Sequence, residues 1–204
     1  MKRHSNRRHA TGIRHRHLRH ASSHKRVHHF AKRAPARHSS AANSGSCPGA
    51  DLRPTAEDLD RIRAATLCLI NRERSGQGES PLSPNARLAQ TAQAHSDDMA
   101  FGGYFEHVGP RGDTPLSRMR AAGYIYSSRI GYEVGENIAW GTLWLATPRS
   151  IVAAWMASPD HRANVLNARF RDTAIGVSAR PLASHARGQA GAMYTEDFGV
   201  IITG

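Results

Sequence analysis

The stretch GENIAWG, residues 135–141, puts one carboxylate, that of Glu136, into an otherwise apolar run bounded by glycines. Two histidines flank the stretch along the chain: His107 precedes it and His161 follows it, each in a polar segment. A carboxylate that is buried without a partner is costly, so a buried Glu136 would need polar neighbours. The stretch therefore indicates either a site built around Glu136 or an exposed glutamate at the end of a strand.

The net charge of +12 lies entirely at the N-terminus. Residues 1–46 carry 12 Lys and Arg, nine of the 13 histidines and no acidic residue, whereas residues 47–204 carry 16 basic and 16 acidic residues. A segment this charged and this poor in aliphatic residues cannot bury a core. We therefore expect residues 1–46 to be a disordered basic arm, rich in His and Arg, and residues 47–204 to be the folded domain.

Three roles are open for the basic arm. It is a solvated tail without a specific partner, or an anchor on an anionic polymer such as nucleic acid, acidic cell-wall polymer or lipid headgroups. Alternatively its histidines capture metal, although the interleaved arginines oppose cation binding. The folded part is formally neutral and has no basic stripe, so we expect no specific nucleic-acid site in it.

Cys47 and Cys68 are the only cysteines. They are either two reduced thiols or a disulfide that ties the start of the domain to its first helix. We favour the disulfide, which requires an oxidising compartment; a closed loop of about 20 residues would contribute on the order of 3 kcal/mol. The sequence shows neither the apolar run of a signal peptide nor a transmembrane stretch, so the export that the cysteines indicate has no visible signal.

Hydrophobic periodicity predicts helices first and two strands last. The expected helices run from about Thr55 to Arg74, Asn85 to Phe101, Leu116 to Ala122, and onward from Pro148, with Ser83-Pro84 as N-cap and first residue of the second helix. The runs 174–179 and 192–202 predict neighbouring strands, which a loop of this length would make antiparallel. On the second helix, His95 is expected to be a packed core histidine rather than a ligand.

Seven segments occur in a fixed order along the chain: LINRER (69–74), HSDDM (95–99), YFEH (104–107), GENIAWG (135–141), WMASPDHRANVL (155–166), IGV (175–177) and YTEDFG (194–199). Together, over about residues 56–200, they resemble the bacterial branch of the CAP superfamily, whose domain is also called SCP. The resemblance implies an α+β fold of the α-β-α sandwich type. In such a sandwich, helices cover both faces of a small, mainly antiparallel sheet.

The better-known members of that superfamily present two His and two Glu in a central cleft. The matching positions here are His107, Glu136 and His161, while the position of the second glutamate falls near Ser158 and carries no carboxylate. His107 and His161 are thus candidate ligands for zinc or another divalent cation, with Glu136 as the candidate catalytic base. Alternatively Glu136 orients a histidine, or the three residues form a hydrogen-bonded cluster that only fixes the loops.

The resemblance favours an exported binding module over an enzyme, located outside the cell or in its envelope. Its implied partners are a lipid, a sterol, or a host or cell-envelope component, with no cofactor required. A metal-dependent hydrolase is the alternative, with His107 and His161 as ligands and Glu136 as base or orienter. A wall-associated structural protein held by its basic arm is the third possibility, because fold alone does not decide function.

Overall fold

The computed structural model describes residues 46–203. The predicted basic arm lies outside these residues except for Ser46, so its disorder stays a prediction. The elements within the described range are α1 (Leu59–Gly76), β1 (Ser83–Pro84), α2 (Ala86–Gly102), α3 (Pro115–Ala121), β2 (Gly131–Thr142), a 3-10 turn (Leu143–Ala146), α4 (Pro148–Ala157), α5 (Pro159–Val165), β3 (Asp172–Ser178), α6 (Ala183–Ala186) and β4 (Gly191–Ile202). None of these helices is long and apolar enough to span a bilayer.

The four strands form one sheet in the order β1-β3-β4-β2. β1 runs parallel to β3, whereas β4 pairs antiparallel with both β3 and β2. The predicted antiparallel pairing of the last two strands is thus confirmed, as is the mainly antiparallel sheet. β2 is an edge strand, and all 12 of its residues are in register with β4. The stretch GENIAWG, residues 135–141, therefore lies within an edge strand.

Helices cover both faces of the sheet, which confirms the predicted α-β-α sandwich. Successive side chains of a strand point to opposite faces. Accordingly, Ala174 of β3 packs with Leu88 of α2 and Met119 of α3. Its neighbour Ile175 packs in a separate cluster with Trp155 of α4. Helices α2 and α3 thus cover one face, and α1, α4 and α5 cover the other.

The prediction that Ser83-Pro84 starts the second helix is wrong. The N-cap of α2 is Asn85, whose side chain accepts hydrogen bonds from the backbone N–H groups of Arg87 and Leu88. Ser83 N–H donates to the carbonyl of Arg171 at 2.8 Å, so the segment pairs with the sheet as β1. Proline is tolerated there because β1 is an edge strand. The first helix likewise begins four residues later than predicted, at Leu59.

Cys47 and Cys68 form the predicted disulfide, with their Cα atoms 5.7 Å apart. The bond ties the turn that opens the domain to the middle of α1. The same turn reaches α4, because Arg149 N–H donates to the carbonyl of Ala50 at 2.9 Å. Since Cys47 and Ala50 are both buried in the core cluster beneath α1 and α4, the cross-link is part of the core.

Candidate functional site

Glu136 lies in the middle of β2, on the face covered by α2 and α3. Its side chain is 2% exposed. Oε1 accepts a hydrogen bond from His107 Nδ1 at 2.8 Å, and Oε2 accepts one from Arg118 Nη2 at 2.6 Å. Glu136 is therefore not the exposed glutamate of the alternative interpretation. It is a buried carboxylate that is stabilised by charge-assisted hydrogen bonds on both oxygens.

His107 lies in the loop between α2 and α3, and its side chain is 47% exposed. Its ring is held by Glu136, and its backbone carbonyl accepts a hydrogen bond from Arg118 Nη2 at 3.1 Å. Because the bond to Glu136 uses Nδ1, the opposite ring nitrogen, Nε2, is directed away from the carboxylate. A carboxylate that fixes the tautomer of an imidazole in this way is a common device for presenting the other nitrogen to a ligand.

His161 reaches the same edge of the sheet from α5, on the other face. Its backbone carbonyl accepts a hydrogen bond from Asn137 Nδ2 at 3.1 Å. Asn164 Nδ2 in turn donates to Asn137 Oδ1 at 2.9 Å, which ties α5 to β2. Burial lowers the pKa of His161, and the nearby His107 lowers it further. The ring of His161 is therefore neutral at pH 7 and lies near enough to His107 for the two to interact electrostatically.

Arg118 organises the site, and sequence reasoning missed it. Besides Glu136 and the carbonyl of His107, it binds Asp113 through both the backbone oxygen and Oδ2, each at 3.1 Å. It lies on α3, whose N-terminus is fixed by a capping box between Thr114 and Ser117. An arginine on a short helix normally has its charge in water, so no local feature of the sequence indicated this role.

His95 lies beneath the cleft and is fully buried, as expected of a packed core histidine. Its Nε2 donates to the backbone carbonyl of Glu106 at 3.1 Å and is 3.8 Å from Glu136 Oε1. Burial lowers the pKa of His95, although the carboxylate of Glu136 opposes this shift. Together with Arg118 and Asp98, His95 lines a cavity of about 350 Å³ beside the cleft.

The donor set does not fit a catalytic zinc ion held by three protein ligands. Among residues 46–203, no group of three or more His, Cys, Asp or Glu side chains is arranged to hold a metal. The oxygens of Glu136 are engaged by Arg118 and His107, and Ser158 stands where the superfamily's second glutamate would lie. The expectation that His107 and His161 alone hold zinc or another divalent cation stays a prediction.

A sandwich with a buried glutamate and two histidines at one edge of its sheet is typical of SCP-like domains. Solved structures agree with this class. An extracellular protein of Bacillus anthracis that contains an SCP domain superimposes with a TM-score of 0.53 at 25% identity, covering 71% of this chain and 43% of that chain. An outer surface protein of Borrelia burgdorferi superimposes with a TM-score of 0.53 at 18% identity, covering 72% of this chain and 94% of that chain, which shows the fold alone.

The family follows from the sequence comparison. The model of the CAP family, described as the Cysteine-rich secretory protein family, matches residues 67–185, and the chain belongs to this family. The protein YkwD of Bacillus subtilis, described as uncharacterized, is 35% identical over 130 residues, which are 64% of this chain and 44% of YkwD. The chain thus spans less than half the length of this relative.

Proposed function

We propose that this protein is a non-enzymatic binding module that acts outside the cell or in its envelope. In this proposal the cleft of His107, Glu136 and His161 holds the polar part of a lipid, a sterol or another envelope ligand. The location is supported by the disulfide, which requires an oxidising compartment, and by the similarity to a protein described as extracellular.

The state of Glu136 carries the proposal. A general base must come within hydrogen-bond reach of the proton that it removes. Glu136 is almost completely buried, and its two oxygens already accept hydrogen bonds from Arg118 and His107. Glu136 is therefore an orienting group. What the cleft offers to a ligand is the half-exposed ring of His107 beside the neutral ring of His161.

NMR titration of the 204-residue chain tests this proposal. The probes are anionic phospholipid micelles, a sterol in neutral detergent, and soluble cell-wall fragments. We expect at least one probe to shift the ring resonances of His107 and His161, and His107→Gln or His161→Gln to weaken its binding. His185→Gln is the matched control, because His185 is an exposed histidine of α6 that bonds Ser184.

An apolar groove at a different place on the domain is a competing binding site for a lipid or sterol. It has a volume of about 390 Å³, lies between α4 and α5, and is lined by Met156, Ala157, Pro159, Arg162, Ala163 and Leu166. If a lipid or sterol shifts only these groove residues, and the two cleft variants bind as well as the control, the cleft is not the binding site.

A metal-dependent hydrolase is the second candidate; in it the rings of His107 and His161, which interact electrostatically, would be the metal ligands. Calorimetric titration with zinc, on protein purified without a nickel column, tests its first requirement. Two histidines alone should bind zinc weakly, and His107→Gln should abolish the binding. Tight zinc binding, together with activity in an unbiased hydrolase screen that His107→Gln removes, would replace the binding-module proposal.

A further inference from the structure

Asp197 lies directly across from Glu136. The two residues are cross-strand partners in the register of β2 and β4, so their side chains point to the same face of the sheet. Both are buried, and Asp197 is 1% exposed. Two carboxyl groups therefore share a space from which water is excluded, although the sequence comparison with the superfamily indicated only one glutamate in the cleft.

The hydrogen-bond partners of Asp197 leave one of its two oxygens unpaired. Oδ2 is bonded to the hydroxyl of Thr91 on α2. Within the described part of the chain, no N–H or hydroxyl group donates to Oδ1. Its cross-strand neighbour on the same face is Glu136, which is also buried. Two neighbouring carboxyl groups away from water are both ionised only at a high cost, so one of them is expected to hold a proton.

The other partners decide which group holds that proton. Glu136 is bonded to a guanidinium, that of Arg118, and to an imidazole, that of His107, and both bonds favour the ionised carboxylate. Asp197 has only the neutral hydroxyl of Thr91. Burial raises the pKa of Asp197, the charge of Glu136 raises it further, and Arg118 and Thr91 oppose the shift without reversing it.

We propose that Asp197 is a carboxylic acid at neutral pH that donates a hydrogen bond from Oδ1 to Glu136. Asp197 would thereby be a positioning residue that holds Glu136 against His107, and this role rests on the proposed binding function of the cleft. The pair then carries a single negative charge beside Arg118, whose guanidinium is shared between Glu136 and the ionised Asp113. Of the other titratable groups nearby, His95 is neutral and Glu196 belongs to the opposite face of the sheet.

The variant Asp197→Asn tests the protonation state without any ligand. A proton that the native state holds and the unfolded state releases makes folding weaker as pH rises above about 4, the ordinary pKa of aspartate. The ratio of the folding constants of the unmutated chain and Asp197→Asn should therefore fall about ten-fold per pH unit from pH 5 towards pH 7. A ratio that stays constant over this range would show that Asp197 is ionised and overturn the proposal.

The unmutated protein provides a second readout that does not depend on the variant's folding. With ¹³C-labelled aspartate, the Asp197 carboxyl signal should keep the shift of a protonated acid through pH 7. An infrared band of a protonated carboxyl should also be present at pH 7 and be reduced in Asp197→Asn. A carboxylate signal for Asp197 at pH 7 would contradict the proposal.

Comparison of two substitutions at Asp197 shows whether this residue positions Glu136 through a hydrogen bond or only fills space. Asp197→Asn retains a donor, so the ring resonances of His107 should hardly move, whereas Asp197→Leu should shift them. Glu196→Gln is the control, because Glu196 bonds Thr173 on the opposite face. If Asp197→Asn and Asp197→Leu shift the ring resonances of His107 by the same amount, Asp197 does not position Glu136. Since none of these measurements uses a ligand, they can succeed even if the proposed binding function fails.

Discussion

Replacement of Arg118 by Met is the most direct test of how the cleft is held. Met keeps much of the length of the side chain but removes the charge, so Glu136 is left buried without its cation. The two side chains are only 10% and 2% exposed. Removing one partner from a buried ion pair costs about 3–5 kcal/mol, because the other charge stays uncompensated. At roughly 2–4 °C per kcal/mol for a domain of this size, the melting temperature should fall by about 10 °C.

Thermal and urea denaturation of the 204-residue chain measure this loss. The matched control is Arg149→Met, which removes an ion pair of similar length with Asp51, at 2.6 Å, whose side chains are 53% and 72% exposed. An exposed pair contributes at most about 1 kcal/mol. Both arginines pair with a carboxylate, but that of Arg118 is buried, and Arg118 also binds Asp113 and the carbonyl of His107.

A double-variant cycle identifies the cause of the loss. If the buried charge of Glu136 is responsible, Glu136→Gln in the Arg118→Met background should restore part of the stability. Coupled residues in one network typically interact by about 0.5–3 kcal/mol. A loss for Arg118→Met no larger than that for Arg149→Met, or a cycle with no coupling, would refute the assignment of Arg118 as the cation that stabilises Glu136.

Three further predictions concern parts of the chain outside the site: the disulfide, the packing of the sheet and the N-terminal residues. Cys68→Ala should lower stability by about 3 kcal/mol through loss of the cross-link, and intact-mass analysis of the unmutated, oxidised protein should show two hydrogens fewer than the reduced form. Gly176→Ala should destabilise strongly, because its Cβ would lie 2.1 Å from the backbone of Ala92, whereas Gly76→Ala, with nothing within 4 Å, should be nearly neutral in the same urea titration. Deleting residues 1–46 should leave the melting temperature within a few degrees while abolishing salt-dependent retention on an anionic resin; a large drop in melting temperature would show that the arm stabilises the domain.

The elements that the sequence predicted well are those with local signals. The short helix that follows Thr114 begins one residue before its predicted position, because its cap and its proline act locally. The second helix begins at Ala86, close to the predicted Asn85, although its cap was wrongly assigned to Ser83. β1 was missed because two residues have no periodicity, and their extended form depends on pairing with β3, which lies some 90 residues further along the chain.

The residues of the cleft fall into two groups. Some can be identified from a sequence motif, and others only from the packing of the folded chain. His107, Glu136 and His161 could be matched to a family pattern one residue at a time. Asp197 lies in a matching segment, YTEDFG, but its place beside Glu136 was not indicated, because two acidic residues in succession usually indicate a strand with at least one face in water. In the structure both faces of β4 are covered, so Glu196 and Asp197 are both buried, on opposite faces.

The adjacent residues Glu136 and Asn137 explain why a sheet edge can hold two histidines from opposite sides. Successive side chains of β2 point to opposite faces. Glu136 therefore binds His107 on the face of α2 and α3, while Asn137 binds the carbonyl of His161 on the face of α5. A slip of one residue in the pairing of β2 with β4 would exchange the two faces and separate both histidines from their partners. The register of the strand is thus what pairs Glu136 with the ring of His107 and Asn137 with the backbone of His161.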